Sequence, residues 1–194
     1  MIVITGSRST IAKQLLGMVP ETAWCPDRGG PVPLDAERYF FCQGYLAGEA
    51  MRDITPDQLL DTMLVNYSMV RDTCDRIIDV NPKARIVVMG SESGFAGSYD
   101  ESYAAAKALL HRYVETKRLL HPGQQLVAIA PTVIEDTRMT AERKDLADCM
   151  ARGAARRRER WLLAVEVARL VHFLLYQDTG SISNTVIRQH GGTW

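Results

Sequence analysis

Tyr103-Ala-Ala-Ala-Lys107 places a phenol and an ammonium four residues apart, on one face of any helix that contains them. A free phenol ionises near pH 10, so it exchanges a proton near neutrality only beside a cation that stabilises its phenolate, which Lys107 is placed to do. Taken alone, the pair equally describes a packed tyrosine next to a solvated lysine. Ser91 shifts that balance. It lies in Gly90-Ser91-Glu92-Ser93-Gly94, directly after an apolar strand-like run, and open α/β sheets bind ligands at the carboxyl ends of their strands. A second candidate is Thr5-Gly6-Ser7-Arg8-Ser9-Thr10-Ile11-Ala12, between a β-branched run and a helical pattern. Free backbone N–H groups, the positive end of the helix dipole and the hydroxyls of Ser7, Ser9 and Thr10 could hold a pyrophosphate there. A plainly capped helix start would use the same residues, and only Gly6 remains of the three glycines usual in such loops.

Both candidates need a scaffold of alternating strands and helices. Strands are expected at Ile2–Thr5, Ala23–Cys25, Tyr39–Cys42, Ala84–Gly90, Gln125–Pro131 and Asn184–Arg188. Helices are expected from Ile11 to Met18, from Thr55 through Val70, from Tyr103 to Leu120 and from Ala164 to Tyr176. Thr55-Pro56 supplies an N-cap followed by proline at the first helical position. Arg138–Arg160 is charged and weakly periodic. The alternation predicts an α/β, doubly wound, Rossmann-like parallel sheet in one domain over residues 1–194, with a cofactor half (about 1–90) and a catalytic half (about 91–194).

Composition narrows the function classes. Lys plus Arg and Asp plus Glu are 23 each, for a formal net charge of zero, which argues against a general nucleic-acid binder. No apolar run approaches a membrane span and the first residues lack a basic leader, so a cytoplasmic protein is expected. Cys25, Cys42, Cys74 and Cys149 show no paired spacing; they are expected to be small buried hydrophobes, and no metal site is expected.

From the TGxxxxIA turn through Val65-Asn66, Met89-Gly90-Ser91-Glu92-Ser93-Gly94-Phe95, Tyr103–Lys107, Pro131 and Val165–Leu175 to His190-Gly191-Gly192, the sequence resembles the short-chain dehydrogenase/reductase family. The resemblance implies an NAD(P)-dependent oxidoreductase that interconverts an alcohol and a carbonyl. Tyr103 would be the general acid/base, Ser91 would orient the substrate oxygen, Lys107 would hold the nicotinamide ribose and lower the tyrosine pKa, and Asn66 would complete a proton relay. Ser93 competes with Ser91, which has the family spacing to Gly94. For Asn66 the rival is a helix asparagine bonding backbone at a kink. The resemblance sets the cofactor along Gly6, Ser7, Arg8, Ser9, Thr10 and Ile11, at Gln43 and Gly44, at Tyr103 and Lys107, and at Pro131 and Val133.

Departures concentrate in the first half. Thr10 and Ala12 replace the second and third loop glycines, and Phe41-Cys42-Gln43-Gly44 stands for the family's Asn-Asn-Ala-Gly. Gly6 to Gly44 is too short for two helices and a third strand, so a compact variant with a shortened second and third βα region is expected. Asp35 resembles the adenine-capping acid. Asp27 and Arg28 lie where a ribose 2′-hydroxyl or 2′-phosphate would be read, and with Arg8 they lean slightly toward NADP, a charged surface turn being the rival. The run Arg152, Arg156, Arg157, Arg158 and Arg160 falls in the expected substrate lid, Thr132–Trp161, and reads either as anion recognition or as a solvated helix end balanced by Glu159 and Asp145. A small-molecule partner is expected, with no nucleic acid or membrane, and a homodimer or homotetramer formed through Val165–Tyr176 and Thr185–Arg188. A non-catalytic dinucleotide-binding scaffold, or an isomerase or dehydratase using the same tyrosine, remains as an alternative.

Overall fold

The computed structural model describes residues 1–27, 29–143, 146–155, 159–178 and 180–191. Six strands, β1 (Ile2–Thr5), β2 (Ala23–Trp24), β3 (Arg38–Phe41), β4 (Arg85–Met89), β5 (Gln125–Pro131) and β6 (Thr185–Gln189), form one parallel sheet in the order β2-β1-β3-β4-β5-β6. Alternate residues along each strand feed two different cores, as the period of two requires. Ile2, Ile4, Phe40, Val87, Val127 and Ile129 pack on one face against α1 (Thr10–Leu16) and, later in the chain, the last helix, Ala164–His172. Val3, Tyr39, Phe41, Ile86, Val88, Leu126 and Ala128 face the other way, toward the helices between β3 and β5.

The shortened first half is what the sequence implies. The thirteen residues 25–37 carry the chain from β2 across β1 to β3 without a helix, and Val32, Leu34 and Ala36 cover the sheet where helical side chains would otherwise lie. β2, the edge strand, is two residues long, so little unpaired backbone is offered to another sheet. Cys25 follows it and is exposed, unlike Cys42, Cys74 and Cys149; the expectation of four buried cysteines fails there because the edge strand ends one residue earlier.

Beyond β3 the helix starts as its signals direct. Thr55 accepts from Gln58 N while the Gln58 side chain accepts from Thr55 N, a reciprocal cap that opens α2 (Pro56–Met63). A π-helical turn, Leu64–Ser68, joins it to α3 (Met69–Val80), so the helical segment reaches ten residues past Val70. After β4 come α4 (Ser93–Ala96) and α5 (Glu101–Thr116). The charged, weakly periodic stretch Arg138–Arg160 contains α6 (Arg138–Ala141) and α7 (Leu146–Ala154), followed by α8 (Ala164–His172) and a second π-helical turn, Phe173–Gln177. α7 is pinned by a contact distant in sequence: Trp161 Nε1 donates to Cys149 O at 2.7 Å, and a Cβ on Gly153 would lie 2.5 Å from that indole nitrogen. No helix among the described residues is long and apolar enough to cross a membrane.

Candidate active site

Parallel strands deliver their carboxyl ends to one edge, and most of the candidate residues emerge there: Gly6 after β1, Gln43 and Gly44 after β3, Ser91 after β4, Pro131 and Val133 at the end of β5. Gly6 needs to be glycine. Its φ is +64°, and a Cβ would sit 2.8 Å from both Cys42 C and Gln43 N, so the first turn lies directly against the backbone leaving β3. Thr5 Oγ1 also donates to Gln43 Oε1, tying the two strand ends together. Gly6→Ala therefore forces a strained φ and separates these segments; we expect a loss of about 2–4 kcal/mol, read by urea unfolding.

Within the turn, Ser9 is already committed. Its Oγ caps α1 by accepting from Ala12 N at 3.0 Å and meets Cys42 Sγ at 3.1 Å. Burial raises the Cys42 thiol to about 11, so it stays protonated at neutral pH. Ser7 and Thr10 are partly exposed, Arg8 is exposed and Ile11 is buried in the core. Asp27 is exposed in a turn after β2 that is closed by Gly30 N donating to Asp27 O at 2.8 Å. Arg28 lies outside the described residues, as do Asp145 and Arg156, Arg157 and Arg158. Arg160 forks onto Glu166 of α8 at 2.9 and 3.2 Å.

Asp35 is not brought to this edge. It precedes β3 and lies with Leu34, Val80, Asn81 and Pro82 at the amino ends of the strands, across the sheet from Gly6. The family resemblance implied an adenine cap, but Asp35 precedes β3, and the direction of that strand sets it at the opposite edge.

Tyr103 and Lys107 stand on α5 with their backbone fixed by a residue the sequence reading passed over. Asp100 is fully buried and is the N-cap: Oδ1 accepts from Tyr103 N at 2.9 Å and Ser102 Oγ at 2.7 Å, while Oδ2 accepts from Gly48 N at 3.1 Å. One carboxylate thus holds both the tyrosine's turn of helix and the loop after β3. Its signal was an Asp three residues before Tyr103. The Ser91 hydroxyl is near enough to the Tyr103 phenol to lower its pKa and accepts from Ser93 N at 3.2 Å, so Ser93 supports Ser91 through its backbone. Burial raises the phenol pKa, the Ser91 hydroxyl opposes that, and the Asp100 charge adds to it.

Lys107 is 1% exposed, with Nζ donating to Met89 O at 2.7 Å and lying 5.6 Å from the centre of the Tyr103 ring. Desolvation brings its pKa down to about 8, with Cys42 acting in the opposite direction. Asn66 is fully buried in the first π-helical turn, where its Nδ2 donates to Tyr45 O at 2.7 Å and Thr62 O at 2.9 Å, and its Oδ1 accepts from Tyr45 N at 3.2 Å. Both amide hydrogens are engaged by backbone, so Asn66 clamps the loop after Gly44 to the kinked helix. His111, one turn beyond Lys107 on the same face, packs beneath the Ser91 turn.

No family model and no curated protein matches the sequence. Among solved structures, the chain superposes on a short-chain dehydrogenase/reductase described as a glucose/ribitol dehydrogenase from Brucella melitensis, with a TM-score of 0.83 and 17% identity, covering 100% of this chain and 96% of that one. It is likewise similar to the angucycline C-6 ketoreductase LanV with bound NADP (TM-score 0.81, 16% identity, 99% and 95% coverage). A third is an actinorhodin polyketide ketoreductase with NADPH (TM-score 0.80, 17% identity, 98% and 96% coverage). The chain therefore has the Rossmann-like α/β fold of the short-chain dehydrogenases/reductases over its whole length.

Proposed function

We propose that the chain is an NAD(P)-dependent oxidoreductase of the short-chain dehydrogenase/reductase type that interconverts an alcohol and a carbonyl. The observation that carries this reading is a buried lysine held on Met89 O beside the Tyr103 ring, with Ser91 near enough to the phenol to lower its pKa, at the carboxyl edge of a parallel sheet. A scaffold has no physical need to bury an ammonium there, since burying a charge costs stability unless something uses it.

The residues fit a dinucleotide. Gly6 packs the first turn against the backbone leaving β3, and the turn that follows, at the amino end of α1, carries Ser7, Arg8 and Thr10, which would meet the pyrophosphate. Gln43, Gly44, Pro131 and Val133 would border the nicotinamide half, and Lys107 would meet the ribose. When bound, the nicotinamide supplies or accepts a hydride. This chain's own residues handle the proton: Tyr103 gives it to, or takes it from, the substrate oxygen, Ser91 orients that oxygen, and the Lys107 ammonium favours the phenolate. LanV and the actinorhodin ketoreductase carry NADP and NADPH, and exposed Arg8 offers a cation for a 2′-phosphate, so NADP is the preferred form. The unpaired edge of β6 and exposed Phe173 at the end of α8 support self-association through that side.

Titration with NADPH and NADH, followed by fluorescence and melting temperature, tests the reading. Micromolar binding of one dinucleotide is expected; saturation to a hundred times Kd would stabilise the fold by about 2.7 kcal/mol. Absence of any shift up to millimolar levels of both would favour the scaffold reading.

A further inference from the structure

His111 is a buried, titratable side chain that the proposed reaction does not use, and its surroundings are specific. The ring is 4% exposed and sits between two glycines: a Cβ on Gly90 would lie 2.5 Å from Nε2, and one on Gly94 would lie 2.6 Å from Cε1 and 2.8 Å from Nδ1. Phe95 packs on it with ring centres 4.6 Å apart. Nε2 accepts the backbone N–H of Ser91 at 3.3 Å, and Nδ1 has no hydrogen-bond partner among the described residues. Gly90, Ser91, Gly94 and Phe95 all belong to the turn that presents the Ser91 hydroxyl to Tyr103.

We propose that His111 is a positioning residue: its neutral imidazole, held as the Nδ1–H tautomer, accepts the Ser91 N–H and wedges the Gly90–Phe95 turn so that the Ser91 hydroxyl stays aimed at the Tyr103 phenol. This inference rests on the oxidoreductase reading for its consequence in turnover, not for its geometry. An apolar side chain of the same size would fill the space but leave the Ser91 N–H buried without an acceptor. The charge environment keeps the ring neutral. Burial lowers its pKa to about 4, the Lys107 ammonium on the same helix adds to that, and Glu92, itself paired with Arg188, opposes it. His111 thereby extends the Tyr103 and Lys107 face by one turn, tying the helix that carries the acid to the turn that carries its partner.

The test has two arms. In the first, nitrogen-15 NMR of the full chain should show His111 as the neutral Nδ1–H tautomer at pH 7, with the Ser91 amide exchanging slowly with solvent in the wild type and in His111→Gln, whose Oε1 can reach the Nε2 position. In His111→Leu, that exchange should be at least ~10-fold faster. In the second, His111→Leu should lower kcat by ~10-fold or more with dinucleotide Kd unchanged, His111→Gln should recover most of the loss, and His111→Leu added to Ser91→Ala should cost nothing further.

Equal Ser91 exchange in all three proteins overturns the proposal, whether or not the protein turns over any carbonyl. Losses from His111→Leu and Ser91→Ala that add in full also overturn it. Failure of the oxidoreductase reading shows separately, as absence of dinucleotide binding by the wild type. If His111→Leu does not fold, His111→Asn, with an amide too short to reach the Ser91 N–H, reads both arms.

Discussion

Tyr103→Phe should lower turnover of a carbonyl substrate by on the order of 10²–10⁴-fold while leaving NADPH affinity within about twofold. The substitution removes one oxygen. That oxygen is the only group of Tyr103 able to move a proton, and it is the atom whose pKa the neighbouring Ser91 hydroxyl lowers. The ring remains, so Lys107 keeps its neighbour at 5.6 Å, and the Asp100 cap still holds the backbone N–H of residue 103. Stability should therefore change by no more than about 1 kcal/mol, the net worth of one hydrogen bond. The pH dependence sharpens the test. Because burial raises the phenol pKa, Tyr103 is protonated through neutrality and stands ready as an acid for reduction. Reduction should weaken as pH rises above about 8, where Lys107 loses the charge that stabilises the departing phenolate. Single-turnover reduction by wild type and variant at saturating NADPH, measured from pH 6 to 9, provides the check; near-wild-type turnover by the variant would remove Tyr103 from the role.

How far such a site can be seen in a sequence depends on whether its determinants are local. β5 is legible residue by residue, because a strand buried on both faces must be a continuous apolar run. The missing third strand is legible too, since thirteen residues between β2 and β3 cannot hold a strand and two helices. The end of the long helix is not. A π-helical turn at Leu64–Ser68 shifts the apolar face by a residue, so a fixed helical period loses Ile77 and Ile78, which are fully buried. α7 carries three alanines and a glycine among its nine residues, and its anchor, the Trp161 indole over Gly153, lies outside the segment. Asp35 shows that a family resemblance places a residue without choosing the end of the sheet, which is set by where β3 begins. His111 has a signal one turn beyond Lys107, but its meaning depends on Gly90 and Gly94, which only the fold brings against it.

The compact first half also changes what holds the candidate site together. With no helix between β2 and β3, the loop after β3 is secured from the segments that follow it: Asn66 of the first π-helical turn grips Tyr45, and Asp100 at the start of α5 grips Gly48. Both are buried and each bonds more than one backbone group, so the loop's position is coupled to the π-helical turn and to α5, which carries Tyr103 and Lys107. The same polar residues therefore shape the crevice and stiffen it.

Lys107→Met should do two opposite things: lower turnover by on the order of 10²-fold or more, and raise the melting temperature at pH 7. The ammonium is buried, with one carbonyl bond to Met89 O to offset its lost hydration, and its pKa has fallen from 10.5 to about 8. A lysine that binds its proton less tightly when folded destabilises the fold at pH values where both states are charged. That difference is about 3–4 kcal/mol, from which the lost carbonyl bond takes back about 1 kcal/mol. The sign then fixes the pH window. Below about 8 the lysine is protonated in both states and the penalty is complete; between about 8 and 10.5 the unfolded chain holds the extra proton, so wild-type stability rises with pH. The stabilising effect of Lys107→Met should accordingly be largest at pH 6–7 and shrink toward pH 10. Urea unfolding of both proteins across that range measures it. A variant less stable than wild type at pH 7, with no trend against pH, would mean that Lys107 supports the fold, and would remove the main physical reason for assigning it a catalytic task.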